Sequence, residues 1–196
     1  MGTPRDPRPA RQESPGRFLA SLTTLGSYDG RLRSIIRQLK FKDMPGLGAP
    51  LGERLASRLE GIPGGFDLVV PVPLHWRRRW RRGYNQAEMI AARVALLAGR
   101  PILPGALRRL KATAPQTGRN RKERVANIRG AFMIRSTGRG ARQARDLKGA
   151  TVLLVDDVVT TGATIRECAR ALKAAGARNV QAAAAARTLS SNRIKG

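Results

Sequence analysis

The residues best suited to chemistry lie in VLLVDDVVTTGAT, residues 152–164. An apolar run ends in two neighbouring carboxylates, Asp156 and Asp157, and a turn of small residues follows at once. The turn leads into TIRECARALKAAGA, where Ile165, Ala169, Leu172 and Ala175 recur at helical spacing. The start of a helix leaves backbone N–H groups without intrahelical partners, and together with the helix dipole they attract anions, phosphate above all. Gly162 permits a positive φ and close approach of a ligand. The amides of 160–164, Ala163 included, and the hydroxyls of Thr160, Thr161 and Thr164 would contribute about 1.5–3 kcal/mol for each charge-assisted hydrogen bond. Carboxylates beside such a cradle would repel a bare phosphate. They suit a sugar phosphate, whose vicinal hydroxyls donate to the acids while its phosphate sits in the turn, with Mg²⁺ sharing the hydroxyls.

Other readings of the same residues compete. A Walker A loop needs Gly-x4-Gly-Lys-Ser/Thr, which the chain lacks. A response-regulator receiver also ends a strand in Val-Asp-Asp, but its phosphorylated Asp lies well downstream, and no Asp follows Asp157. The plainest alternative is an ordinary strand–turn–helix with two solvated acids. The order of apolar run, Asp-Asp, Thr-Thr-Gly and helix speaks against it.

Several elements must position these residues. ATVLLVDD is the best strand in the chain, and FDLVVPVP, AFMI and NVQAAAAARTL are further extended runs, the last weakened by its five alanines. RPILPGALRRL holds another. NQAEMIAARVALLAG is a helix ended by Gly99. Strands alternate with helices from residue 66 onward. This is the pattern of an α/β fold with a mostly parallel twisted sheet, buried on both faces and holding ligands beyond the carboxyl ends of its strands. DGRLRSIIRQLKF and LGAPLGERLASRLEG carry helical spacing, so 18–64 reads as a small, mainly helical, hood-like segment. Residues 1–17 read as a disordered basic tail, 65–190 as the sheet domain and 191–196 as a C-terminal tail.

Composition narrows the partners. The 196 residues carry 38 Lys and Arg against 13 Asp and Glu, a formal charge of +25, a field that favours polyanions. Arg alone supplies 31 of the 38. A GC-rich genome would inflate Arg, Ala, Gly and Pro together, so clustered arginines are more informative than scattered ones. One Cys and one His exclude an internal disulfide and a Cys/His zinc site, and nothing points to an organic cofactor. With no apolar run of membrane-spanning length and no signal-peptide core, a cytoplasmic location without a membrane span is expected.

Three blocks carry a resemblance. VLLVDDVVTTGAT resembles the phosphoribosyl pyrophosphate (PRPP) signature of type I phosphoribosyltransferases. VVPVPLHWRRRWRRGYNQAEMIA, residues 69–91, and RRLKATAPQTGRNRKERVANIRGAF, residues 108–132, resemble blocks of the ComF family, which is associated with competence. LKFKDMPGLGAPLGERLA is similar to that family's N-terminal part. The resemblance implies a type I phosphoribosyltransferase fold, with PRPP and substrate-bound Mg²⁺ as ligands. Asp156 and Asp157 would bind the ribose hydroxyls and reach the metal through PRPP. Thr160, Thr161, Gly162, Ala163 and Thr164 would bind the 5-phosphate, and Pro71, Val72, Pro73, Leu74 and His75 would form the pyrophosphate loop. Residues 108–124 would be a flexible catalytic loop that closes as a lid. In it Arg108, Arg109, Lys111, Arg119, Arg121, Lys122 and Arg124 offer charge to the leaving pyrophosphate, alongside Thr113 and Gln116. The same resemblance admits a homodimer and contact with the competence machinery. ComF relatives carry an N-terminal Cys-rich zinc module with no counterpart in this sequence.

HWRRRWRRGYN interleaves Trp76 and Trp80 with Arg77, Arg78, Arg79, Arg81 and Arg82. Arg forks onto phosphate and Trp stacks on bases, so this ridge is a candidate surface for single-stranded DNA or RNA. A solvated basic turn anchored by the tryptophans is its alternative. His75 reaches the pyrophosphate or makes a local turn contact. Cys168 reads as core, and Arg166 and Arg170 as a solvated helix face.

Overall fold

The computed structural model describes residues 17–41, 44–62, 65–74, 80, 82–110, 128–135 and 145–188. Its centre is a parallel four-stranded sheet. Strands β1 (Ser21–Ser27), β2 (Leu68–Pro71), β5 (Thr151–Val159) and β6 (Asn179–Arg187) lie in the order β1-β6-β5-β2. A parallel bridge from Val69 to Ile102 extends the β2 side. Strands β3 (Leu107–Arg109) and β4 (Phe132–Ile134) form a separate antiparallel pair.

Among the described residues four helices cover the sheet: α1 (Gly30–Phe41), α2 (Gly48–Leu59), α3 (Gln86–Leu97) and α4 (Ala163–Ala174). Alternate residues of β5 enter opposite layers, as a pleated strand requires. Val152 and Leu154 pack with Ile165, Cys168 and Leu172 of α4 and with Phe132 of β4. Leu153 and Val155 pack with Ile36 and Leu39 of α1, Leu55 of α2 and Ile90 and Val94 of α3. These side chains are fully or almost fully buried, and each buried Leu, Ile or Val is worth roughly 1.5–3 kcal/mol.

The alanines of β6 have a packing reason. Ala182–Ala186 are all buried between β1 and β5, with helices over both faces. Small side chains there let both helical layers close on the middle of the sheet. Strand β1 is the main difference from the sequence reading: the segment expected to be mainly helical opens with a strand on the sheet's edge. Its Leu22 and Leu25 lie three apart among Ser, Thr and Gly, so no two-residue alternation marks it. Helix α2 meets α3 through Gly48 and Gly52, where an added Cβ would collide with Met89 Cβ and lie 2.8 Å from the Ile90 carbonyl, respectively.

Candidate functional site

Strand β5 runs through Val159, so Asp156 and Asp157 sit within its carboxyl-terminal half rather than after its last residue. Strand alternation gives Asp156 the face of Leu154 and Asp157 the face of Val155. Each acid therefore has different neighbours. Asp157 Oδ1 is 3.1 Å from Lys40 Nζ at the end of α1, and the two side chains are only 15% and 18% exposed. Asp156 Oδ1 accepts the Asp157 N–H at 2.8 Å. Burial pushes the Asp156 carboxyl from 3.8 up to about 7, and the Asp157 charge adds to the rise. The Asp157 N–H, Lys40 and Arg109 of β3 pull the other way.

The turn after β5 has the conformation its sequence suggests. Gly162 caps α4 with φ 71°, a left-handed value that favours glycine. The Ala163 N–H is donated to Thr161 Oγ1 at 3.3 Å. Arg166 reaches back from the first turns of α4 and donates to the Thr161 carbonyl at 2.8 Å. A Cβ on Gly162 would lie 2.9 Å from the Arg166 guanidinium, so the glycine also makes room for this arginine. Arg166 is therefore part of the turn, not a bare solvated face.

Strand pairing brings the 71–74 loop to the same end of the sheet. Pro71 is in register with Val155, and the Val72 N–H is donated to the Val155 carbonyl at 2.8 Å. The Val72 carbonyl accepts from Asn85 Nδ2 at 3.0 Å, while Asn85 Oδ1 caps α3 by accepting the Ala87 N–H. One buried Asn thus fixes the loop to the start of a helix. Pro71, Val72, Pro73 and Leu74 lie one strand away from the acids, and the 160–164 turn follows them in the chain.

A family model for the phosphoribosyl transferase domain matches residues 45–193. The chain belongs to that family. Within the phosphoribosyl transferase domain family it is similar to "Competence protein F" of Haemophilus influenzae, at 30% identity over 82% of this chain and 69% of that protein. It is also similar to "DNA utilization protein YhgH" of Salmonella typhi, at 34% identity over 86% and 72%. Among solved structures it is similar to adenine phosphoribosyltransferase from Leishmania donovani, at 12% identity over 89% of this chain and 90% of that chain, with a TM-score of 0.46.

The remaining candidates of this phosphoribosyl transferase domain divide by position. Arg108 and Arg109 stand on β3, opposite Met133 and Phe132, rather than in a loop. The Arg109 guanidinium lies 5.4 Å from the Phe132 ring centre. Lys111, Thr113, Gln116, Arg119, Arg121, Lys122 and Arg124 lie outside the described residues, as do His75, Trp76, Arg77, Arg78, Arg79 and Arg81. Of the basic ridge, Trp80 is 88% exposed. Arg82 has turned inward: it donates to Gln86 Oε1 at 3.1 Å and covers the Phe41 ring at 5.0 Å.

Three residues near the site carry no sequence motif. Lys40 reaches Asp157 only through the fold, Arg166 turns back onto Thr161 five residues earlier, and Glu167 joins Arg170 of its own helix to the distant Gly130 N–H. Burial would raise the Glu167 carboxyl, but hydrogen bonds from Arg170 and the Gly130 N–H outweigh it and hold it below the ordinary carboxylate range. That N–H, at 2.7 Å, ties the approach to β4 onto α4. Arg170 is likewise paired with Glu167 at 2.8 Å rather than merely solvated. Cys168 is buried, and burial together with the Asp156 charge pushes its thiol well above the usual range, as suits a core residue. Among the described residues no group of three or more His, Cys, Asp and Glu is arranged to hold a metal ion, and no helix is long and apolar enough to cross a membrane.

Proposed function

We propose that this phosphoribosyl transferase domain protein binds PRPP with Mg²⁺ at the carboxyl end of β5 and transfers its phosphoribosyl group to an acceptor. The observation that carries the reading is the acid pair near the end of β5, five residues before the left-handed Gly162 that starts α4. In this reading Asp156 and Asp157 accept the ribose hydroxyls and, through them, face the Mg²⁺ that arrives as part of the substrate. The turn 160–164 takes the 5-phosphate, with Arg166 beside it. The backbone of 71–74, together with His75, takes the pyrophosphate. During transfer the bond from the sugar's anomeric carbon to pyrophosphate breaks, a bond to the acceptor forms, and the acceptor gives up a proton. Positive charge from Arg109 and from Lys111, Arg119, Arg121, Lys122 and Arg124 would stabilise the leaving group.

Calorimetric titration with PRPP, with and without Mg²⁺, tests the site. The Asp156→Asn/Asp157→Asn double variant is expected to lose at least tenfold in affinity, about 1.4 kcal/mol. Equal affinity in that variant would overturn the assignment. A second reading keeps the ligand and drops the transfer: the protein binds PRPP and nucleic acid and acts in DNA uptake. The names of its relatives, which speak of competence and DNA utilization, favour it. A screen of acceptors for pyrophosphate release separates the two.

A further inference from the structure

The last turn of α1 is tied down at three successive residues. The Leu39 carbonyl accepts the Tyr84 hydroxyl at 2.6 Å. The Phe41 ring lies under the Arg82 guanidinium. Between them, Lys40 sends its ammonium to Asp157 at 3.1 Å. A lysine in a last helical turn commonly stays with its own helix's carbonyls and dipole. Here the Leu39 carbonyl on one side of Lys40 and the Phe41 ring on the other are both engaged, and the lysine side chain spans from the helix to strand β5.

The ammonium therefore occupies the coordination space of one of the two acids. Both partners are mostly shielded from water, so the pair is screened less than a surface pair. A free divalent cation approaching this end of β5 would meet, at Asp157, a carboxylate already paired with an ammonium. A cation arriving on a sugar polyphosphate brings hydroxyls for the acids and negative charge that draws an ammonium away.

We infer that Lys40 is a place-holder cation on Asp157 that keeps free divalent ions off the acid pair and admits them only with the sugar phosphate. The inference rests on the proposed reading of Asp157 as a group facing the Mg²⁺ of PRPP. It makes Lys40 a positioning residue that sets the order in which metal and sugar phosphate bind.

The test uses Mn²⁺ alone, without PRPP, followed by electron paramagnetic resonance of the free ion. The wild-type chain is expected to bind Mn²⁺ at the acid pair weakly. Lys40→Met and Lys40→Gln are each expected to bind it about tenfold more tightly, and adding Asp157→Asn should abolish the gain. If both single variants, folded by thermal melting, bind Mn²⁺ no better than wild type, the inference is wrong. A gain that survives Asp157→Asn would overturn it equally. Failure of wild type to bind PRPP with Mg²⁺ would instead count against the proposed function, because the Mn²⁺ comparison involves no PRPP.

Discussion

Asp156 is held where its charge is costly. Its carboxyl is raised to about 7 in the folded chain, chiefly by burial, against about 3.9 for an Asp in an unfolded chain. Between those values the folded state keeps a proton that the unfolded state has released. Stability contributed by this group is therefore complete below about pH 4 and is lost as pH rises to about 7. Asn cannot ionise, yet its Oδ1 can still accept the Asp157 N–H. Asp156→Asn is thus expected to be more stable than wild type at pH 8, by at most about 4 kcal/mol, and nearly equal to it at pH 4. Urea unfolding at both pH values measures this. An equal difference at the two values would mean that burial of the carboxyl is not the cause. Keeping an acid at such a cost is what a binding group does when its ligand supplies the missing donors.

At the scale of elements, the strand–turn–helix of β5 and α4 was legible because its signals agree. A buried apolar run, small turn residues and helical spacing all specify the same geometry. Helix α3 was legible for the same reason, with Asn85 as its cap. Strand β1 was not, because its partner β6 lies about 160 positions along the chain and its own pattern is weak. Nor could the sequence tell that β5 continues past the acids and separates them onto two faces. Lys40 was equally silent, since its partner Asp157 lies more than a hundred positions along the chain. The α2–α3 contact makes a sharper test of the fold. A methyl at Gly52 would meet the Ile90 carbonyl at 2.8 Å and Arg93 Cβ at 2.6 Å, and a backbone carbonyl cannot swing aside. Gly52→Ala is expected to lose roughly 1–3 kcal/mol despite the better helix propensity of alanine. Thermal unfolding of this variant with no loss would show that α2 and α3 separate readily.

At the scale of the whole molecule, the +25 charge needs a partner or a compositional cause. If the ridge at 76–82 is a site for single-stranded nucleic acid, its arginines must be available, and the fold decides which of them are. Arg82 is engaged with Gln86 and Phe41, so it belongs to the anchoring of α1 and α3 rather than to the ridge. The exposed ring of Trp80 remains a stacking surface. The informative variant is therefore Arg77→Ala/Arg78→Ala/Arg79→Ala/Arg81→Ala, with Arg82 kept. If those four meet phosphates, log K for an oligonucleotide should fall with log salt at a slope near −2.8 for that part, from about −0.7 per phosphate on single strands. The quadruple variant should flatten the slope by about that amount. Trp80→Ala should weaken binding about five- to 150-fold, at roughly 1–3 kcal/mol for a stacked base, and leave the slope alone. Fluorescence anisotropy between low and physiological salt reads both quantities. Retention of the full slope in the quadruple variant would mean that attraction is spread over the surface and screened beyond roughly 8 Å. The arginines would then reflect composition, and the chemistry of the molecule would reside at the end of β5.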